Sequence, residues 1–351
     1  MRRFEHGGDA FGHPDCLDFS ASLNPLGMPE AAQQALETCA QACTAYPDPH
    51  CRALTAAMAA HEGVPTSWVV PCAGATDAFY RLGLVLRPTQ ALVCAPCYSG
   101  YEEALDATCA GSPTRIRYHR LRASEDFALT MRFVDDLVEK DGLAFVANPN
   151  NPTGRCVSAD VLDACLRRSA EVGTLMVLDE CFMELTEHAG STALLADYPN
   201  LVLVKALTKS HSLAGLRVGY LLCADEGLVG RLRQVGQPWA VSTPAQLAGT
   251  AALKDAAFIH KSVAAVSLER ERMRGILESL NLRVIPSDAN YLLLQGPAGL
   301  VEALERHRIL ARSCRNFIGL DATWLRIAVR TREEDDCLLD AMRLALREVT
   351  P

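Results

Sequence analysis

The sequence predicts an α/β fold, with a large domain built on a mostly parallel sheet and a smaller α+β domain after it. Three observations predict it. Six apolar runs, at 68–70, 91–94, 143–147, 175–178, 201–204 and 218–223, are near-continuous rather than alternating, as in parallel strands covered on both faces. Helical segments such as 160–171 lie between them, in the place of the crossovers that parallel strands require. Past a helix-rich stretch at 225–280 the order changes, with strand candidates at 282–285, 291–294 and 325–329 and helices near 299–307 and 331–346.

Taken in order, residues 1–28 are rich in Gly, Pro, Asp and Asn, and Pro25-Leu-Gly27 punctuates them before a helix starting near Pro29. Alanine-rich stretches at 29–43 and 52–62 read as helices, the second ended by Gly63-Val-Pro65. Strands and helices then alternate up to the change near residue 250. The expected division is an N-terminal arm at 1–40, a large domain at 41–249 and a small domain at 250–351.

With 351 residues, 49% of them hydrophobic, the chain can bury a substantial core, which excludes a fibrous repeat or a disordered tail. A formal net charge of −8 without a basic cluster argues against a nucleic-acid partner. No run approaches the roughly 20 apolar residues that cross a bilayer. Glu5, His6 and Asp9 stand where a signal peptide needs apolar residues. The expectation is a cytoplasmic protein without a membrane partner. The 14 cysteines, scattered from Cys16 to Cys337, read as reduced thiols, including the single CxxC at Cys94-Ala-Pro-Cys97. Cys39 and Cys43, one helical turn apart, read as small core residues. No spacing of histidines or cysteines predicts a metal.

Parallel sheets present ligands at the carboxyl ends of their strands, so polar residues directly after the apolar runs are the first site candidates. Four such places coincide. Cys72-Ala-Gly-Ala-Thr-Asp77 follows one strand and opens a helix whose free N–H groups suit a phosphate, although such a turn alone is ordinarily just a turn. Asn148-Pro-Asn-Asn-Pro-Thr-Gly154 follows another strand. Asp179-Glu180 ends a third, and an isolated acid there reads equally as a helix cap. Thr208-Lys209-Ser210 precedes Leu213-Ala-Gly-Leu-Arg-Val-Gly-Tyr220, and an isolated lysine there reads as a solvated surface residue.

Together, the Asn-Pro-Thr-Gly motif, a strand-ending Asp179 and a Lys209 placed shortly before Arg217 resemble the fold-type I pyridoxal-phosphate enzymes of the aspartate aminotransferase superfamily. The resemblance implies pyridoxal 5'-phosphate as cofactor, with Lys209 linked to it covalently, Asp179 paired with its pyridine nitrogen and Asn151 on its phenolic oxygen. It implies that Tyr98 stacks on the ring, and that Gly74, Ala75, Thr76, Thr208 and Arg217 hold its phosphate. Tyr46 resembles the tyrosine that reaches the phosphate of a neighbouring subunit, which implies a homodimer. Arg326, in Trp324-Leu-Arg-Ile-Ala-Val-Arg330, matches the arginine that grips an α-carboxylate. Arg330 is a weaker candidate on the same strand.

Within the superfamily the resemblance divides between histidinol-phosphate aminotransferases and the threonine-phosphate decarboxylases of cobalamin biosynthesis. The opening His6-Gly-Gly-Asp9 and the stretches 17–27 and 311–320 resemble the decarboxylases. Phe182 stands where the aminotransferases commonly place a tyrosine, and Ala206 stands where relatives often carry Ser or Thr. The implied reaction is decarboxylation of L-threonine O-3-phosphate, a phosphorylated amino-acid substrate. Its phosphate would be held by residues among His6, Asn24, Arg312 and Arg315, where Arg315 replaces a small polar residue of relatives and His6 reads equally as a solvated terminal histidine. A regulator that binds the cofactor and acts on DNA is the remote alternative, and residues 1–40 are too short and too acidic for its basic helix-turn-helix.

Overall fold

The computed structural model describes residues 6–350; Met1 to Glu5 of the expected arm and Pro351 of the expected small domain lie outside the described residues. Among the described residues thirteen strands appear in chain order: β1 (Leu17–Asp18), β2 (Val69–Cys72), β3 (Gln90–Ala95), β4 (Arg115–Arg120), β5 (Leu143–Ala147), β6 (Leu175–Asp179), β7 (Leu201–Ala206), β8 (Gly219–Cys223), β9 (Arg283–Val284), β10 (Tyr291–Gln295), β11 (Ile309–Leu310), β12 (Arg312–Ser313) and β13 (Trp324–Ala328).

Seven of them form the large sheet, ordered β2-β8-β7-β6-β5-β3-β4. Strands β3 to β7 run parallel, while β8 is antiparallel to both β7 and β2. The 218–223 run, expected to be parallel, is therefore the reversed member. That reversal brings the start of β8 to the edge where the other strands end. Successive side chains enter opposite layers: Leu92, Val146, Leu178 and Leu203 pack on one face, and Val93, Phe145, Val177 and Val204 on the other. Helices Ala75–Leu86, Gly100–Thr108 and Ala159–Glu171 connect the strands.

The sequence pattern misses β4, whose Arg-Ile-Arg-Tyr-His-Arg carries three arginines and no apolar run. As an edge strand it needs no apolar run, and its charges blunt the open edge. The helix expected at 29–43 ends at Glu37. A short 3-10 turn, Ala42–Thr44, follows, so Cys39 is half-buried and Cys43 exposed, which corrects their reading as core residues.

A second sheet, β12-β13-β10-β9, is antiparallel and packs its Leu292, Leu294, Leu325 and Ile327 with Met273, Leu277, Leu338 and Met342. Those partners come from helices Ala256–Ser279 and Arg332–Val349. The latter starts at a capping box in which Thr331 and Glu334 satisfy each other's backbone N–H groups. The N-terminal segment joins this unit through β1, which pairs in parallel with β11, and through Phe19, whose side chain enters the same core. Position 250 lies inside the helix Thr243–Ala252. No helix among the described residues is long and apolar enough to cross a membrane.

Candidate active site

Because β2, β3, β5, β6 and β7 end at one edge and β8 begins there, the residues flanking those six termini converge. A cavity of about 340 Å³ opens at this edge, lined by Ala75 and Thr76 after β2, Tyr98 after β3, Asn151 after β5, Asp179 at the end of β6, Thr208 and Lys209 after β7, and Arg217 before β8. The small domain and the N-terminal segment supply Arg312, Arg326 and His6 to the same walls.

Asp179 is held from two sides. Its Oδ2 accepts the Tyr101 hydroxyl at 2.7 Å and its Oδ1 accepts the Cys181 backbone N–H at 3.0 Å. Burial pushes its carboxyl above the usual range, and these donors oppose the shift. Lys209 lies deep in the cavity, where burial first, and then the charges of Arg326 and Arg217, lower its amine to about 8. Its Nζ sits 5.9 Å from the centre of the Phe182 ring. A half-buried lysine desolvated in this way is partly neutral near pH 7 to 8 and can act as a nucleophile.

The turn after β2 is built for close approach. Gly74 has φ 83° and ψ 172°, a region open essentially to glycine alone. A Cβ there would lie 2.8 Å from Nη2 of Arg217. Asp77 braces the turn by accepting the Ala73 N–H at 2.9 Å and the Arg81 Nε–H at 3.0 Å, while Arg81 donates onward to the carbonyls of Leu232 and Val235. Arg217 is fixed by a 3.0 Å bond to the Ala214 carbonyl. Backbone donors at a helix start beside an arginine fork make a phosphate cradle. The donor set fits pyridoxal phosphate, with an acid for a ring nitrogen, an amine for an aldehyde and a cradle for a phosphate.

On the opposite wall, Arg312 and Arg326 are direct partners across β12 and β13, so their side chains share a face. Arg326 donates to Asn151 Oδ1 and, at 3.0 Å, to the Ser20 carbonyl, with its guanidinium 5.0 Å from the Tyr291 ring centre. Arg312 donates to Asn316 at 2.9 Å and lies 5.1 Å from the Phe317 ring centre. The His6 ring is 5.6 Å from that of Tyr98, and its Nε2 is 3.9 Å from a Glu103 carboxylate oxygen.

Three expected site residues lie elsewhere. Asn24 is buried, and its amide is committed: Nδ2 donates to Ser210 O at 2.6 Å and Ser262 Oγ at 2.7 Å, and Oδ1 accepts Leu26 N–H at 2.9 Å. With its own N–H bonded to Lys209 O at 3.0 Å, it braces the lysine segment from behind rather than lining the cavity. Arg315 is exposed and outside the cavity walls, although Arg312 before it and Asn316 and Phe317 after it line the cavity. Tyr46 is 79% exposed and stacks on Trp239 at 4.6 Å, outside the cavity of its own chain. Arg330, the weaker candidate, donates to Asp18 O and Glu334. Tyr101 and the Asp77–Arg81 brace were missed by the sequence reading. The i,i+4 spacing of Asp77 and Arg81 was a visible signal, whereas Tyr101 had none beyond its place in the helix after Tyr98.

The class I and II aminotransferase family matches residues 14–342. A threonine-phosphate decarboxylase of Salmonella typhimurium is 34% identical, over 95% of this chain and 92% of its own length. A histidinol-phosphate aminotransferase of Ralstonia nicotianae is 31% identical, over 95% and 89%. A histidinol-phosphate aminotransferase from Sinorhizobium meliloti, solved in complex with pyridoxal-5'-phosphate, shares the fold with a TM-score of 0.83 at 22% identity, over 94% of this chain and 90% of that one. The match along most of the chain and the donor set at the strand ends lead to one conclusion: this chain belongs to the class I and II aminotransferase family, as a fold-type I enzyme with pyridoxal phosphate as cofactor.

Proposed function

We propose that the chain decarboxylates L-threonine O-3-phosphate to (R)-1-amino-2-propanol O-2-phosphate, a step of cobalamin biosynthesis. The observation that carries this reading is the pairing of Arg312 with Arg326 across one strand pair, both facing the cavity. Two guanidinium forks on one wall suit a substrate with two anionic groups, a carboxylate and a phosphate. The 34% identity to the Salmonella typhimurium decarboxylase supports the same reading.

In it, Asp179 pairs with the cofactor's ring nitrogen, Asn151 meets its phenolic oxygen, and Tyr98 covers its face. Gly74, Ala75, Thr76, Thr208 and Arg217 hold its phosphate, and Lys209 carries it. When bound, pyridoxal phosphate supplies an electron-withdrawing ring conjugated to the substrate α-carbon. Arg326 recognises and orients the carboxylate, and Arg312 with His6 takes the phosphate. Because a tight ion pair stabilises the carboxylate that must depart, the contribution of Arg326 is positional rather than electrostatic. As the bond from α-carbon to carboxylate breaks, carbon dioxide leaves and Lys209 Nζ, or a water it holds, delivers a proton to the α-carbon. The Phe182 side chain offers no hydroxyl beside Lys209 Nζ, which removes a donor that would favour transamination. A second copy of the chain presents its Tyr46 to this site in the proposed homodimer.

The similarity to the Ralstonia nicotianae protein supports transamination of histidinol phosphate as the second reading. Histidinol phosphate carries one anionic group, so in its half-reaction one of the two arginines has no anionic partner, whereas the two carboxylates of 2-oxoglutarate in the other half-reaction would engage both. Parallel reactions of the holoenzyme separate the readings. Carbon dioxide and aminopropanol phosphate from L-threonine O-3-phosphate are expected, and glutamate from histidinol phosphate with 2-oxoglutarate, without carbon dioxide from the first substrate, overturns the proposal.

A further inference from the structure

Away from the cavity, two clusters among the described residues bring three potential metal-ligating side chains within 4.8 Å of one another. One of them, His61, Glu62 and Glu184, is already neutralised: Lys205 Nζ sits 2.8 Å from Glu62, and His61 Nε2 sits 2.6 Å from Glu184. A cation occupies that place as part of the protein. The other joins Cys156, His188 and Asp288 and has a different character.

Its three side chains come from three separate segments, each fixed by its backbone. Cys156 follows the turn after β5, where Asn148 Oδ1 accepts the Val157 N–H at 2.9 Å and Asn150 N–H reaches Arg155 O at 2.9 Å. His188 is held by a 3.1 Å bond from its N–H to Thr186 Oγ1. Asp288 lies between β9 and β10, with its N–H on Gly154 O at 2.8 Å and its carbonyl on Arg270 Nη1 at 2.9 Å. The Cys156 N–H donates to Asp288 Oδ2 at 2.9 Å, which leaves Oδ1 turned to His188 Nε2 at 3.2 Å. Zinc bonds of about 2.0–2.2 Å to nitrogen and oxygen place neighbouring tetrahedral donors roughly 3.3–3.5 Å apart, close to that separation. The backbone donor on Oδ2 is the kind of outer contact that orients a ligating carboxylate.

We propose that Cys156, His188 and Asp288 form a binding site for zinc, with a fourth position open to water. The thiol and imidazole select a borderline-soft dication over magnesium or calcium, which take oxygen donors. His188 is exposed and the other two are half-buried, so an ion can enter from solvent. Binding displaces the thiol proton of Cys156 to solvent and forms a zinc–thiolate bond. Arg155 lies close enough to act on both Cys156 and Asp288; the thiolate and carboxylate match the two charges of the zinc ion. A bound ion ties the turn that carries Asn151 to the small-domain segment preceding β10, without touching the cavity.

The test is zinc affinity of the holoenzyme, measured by competition with a chromophoric chelator, for the wild type, Cys156→Ser and His188→Ala. His188 is a surface residue outside the catalytic machinery, so its variant keeps the fold, and the cofactor absorbance checks this for both variants. One zinc per chain is expected, with affinity reduced by at least about tenfold in each variant, the loss that even an outer-contact change brings. Cobalt substitution should give the visible ligand-field bands of a tetrahedral thiolate site in the wild type and not in Cys156→Ser. Equal zinc affinity in the wild type and His188→Ala, or cobalt bands that persist in Cys156→Ser, overturns the assignment. Absence of zinc binding to the wild type overturns it equally.

Discussion

Tyr101 reaches from the helix after β3 to donate a 2.7 Å hydrogen bond to Asp179, the acid at the end of β6. Burial raises the Asp179 carboxyl, so the ionised form depends on donors aimed at it. A hydrogen bond to a charged group contributes about 1.5–3 kcal/mol. Tyr101→Phe removes it with little change of shape, which raises Asp179 further and weakens its pairing with a ring nitrogen. Cofactor affinity of the apoenzyme should fall about tenfold or more, measured by titration with pyridoxal phosphate. An unchanged affinity would show that the Cys181 N–H alone holds the acid.

Gly74→Ala should damage the cradle without unfolding the chain. Its backbone conformation costs an ordinary residue about 1–3 kcal/mol, and the added methyl would press on Arg217 from 2.8 Å. The variant should lose cofactor on dialysis under conditions in which the wild type keeps it. Retention equal to the wild type would mean that Arg217 moves aside freely.

Lys209 gives a pH prediction with a definite sign. Burial and the neighbouring arginines lower its amine to about 8, so the neutral, nucleophilic form grows as pH rises. The rate of cofactor attachment to the apoenzyme should climb from pH 6 and level off above about pH 8. An ordinary lysine would keep climbing toward about pH 10, and that profile would refute the environment described for it. Arg326→Gln should move the inflection upward, since it removes a positive charge that depresses the amine.

Beneath the site, burial pushes the Glu184 carboxyl up, but the hydrogen bond from His61 and the nearby charges outweigh it and hold it down at about 2. A depressed acid stabilises the fold above its unfolded pKa of about 4.3, and that contribution is lost as pH falls from there toward 2. Glu184→Gln leaves the His61 imidazolium without its carboxylate partner and should destabilise by about 3–5 kcal/mol near pH 6. The gap to the wild type should narrow as pH drops below about 4.3. Thermal unfolding of both proteins across this range reads the effect; parallel curves would sink the argument.

The strands were legible where burial on both faces imposes an apolar run, as in β5 and β6. They were not legible where an edge removes that demand, as in β4 with its three arginines. The convergence of Asn151, Asp179, Lys209 and Arg217 followed from motifs at strand ends. The reversal of β8, which brings Arg217 to the same edge, depends on pairing that no local pattern records. Asn24 shows the limit in the site itself: its neighbourhood resembles a substrate segment, yet its amide bonds the chain around Lys209. Lys205 carried an unread signal, because a lysine inside Leu-Val-Leu-Val-Lys-Ala needs buried acids, and Glu62 and Glu180 supply them.

In the proposed reaction the bond to the carboxylate breaks while the α-hydrogen stays. The direct measurement uses L-threonine O-3-phosphate carrying deuterium on its α-carbon and 13C in its carboxylate, incubated with the holoenzyme and followed by mass spectrometry. Labelled carbon dioxide is expected in step with aminopropanol phosphate that retains the deuterium. A keto acid that keeps the labelled carboxylate, with the deuterium lost to water, would contradict it.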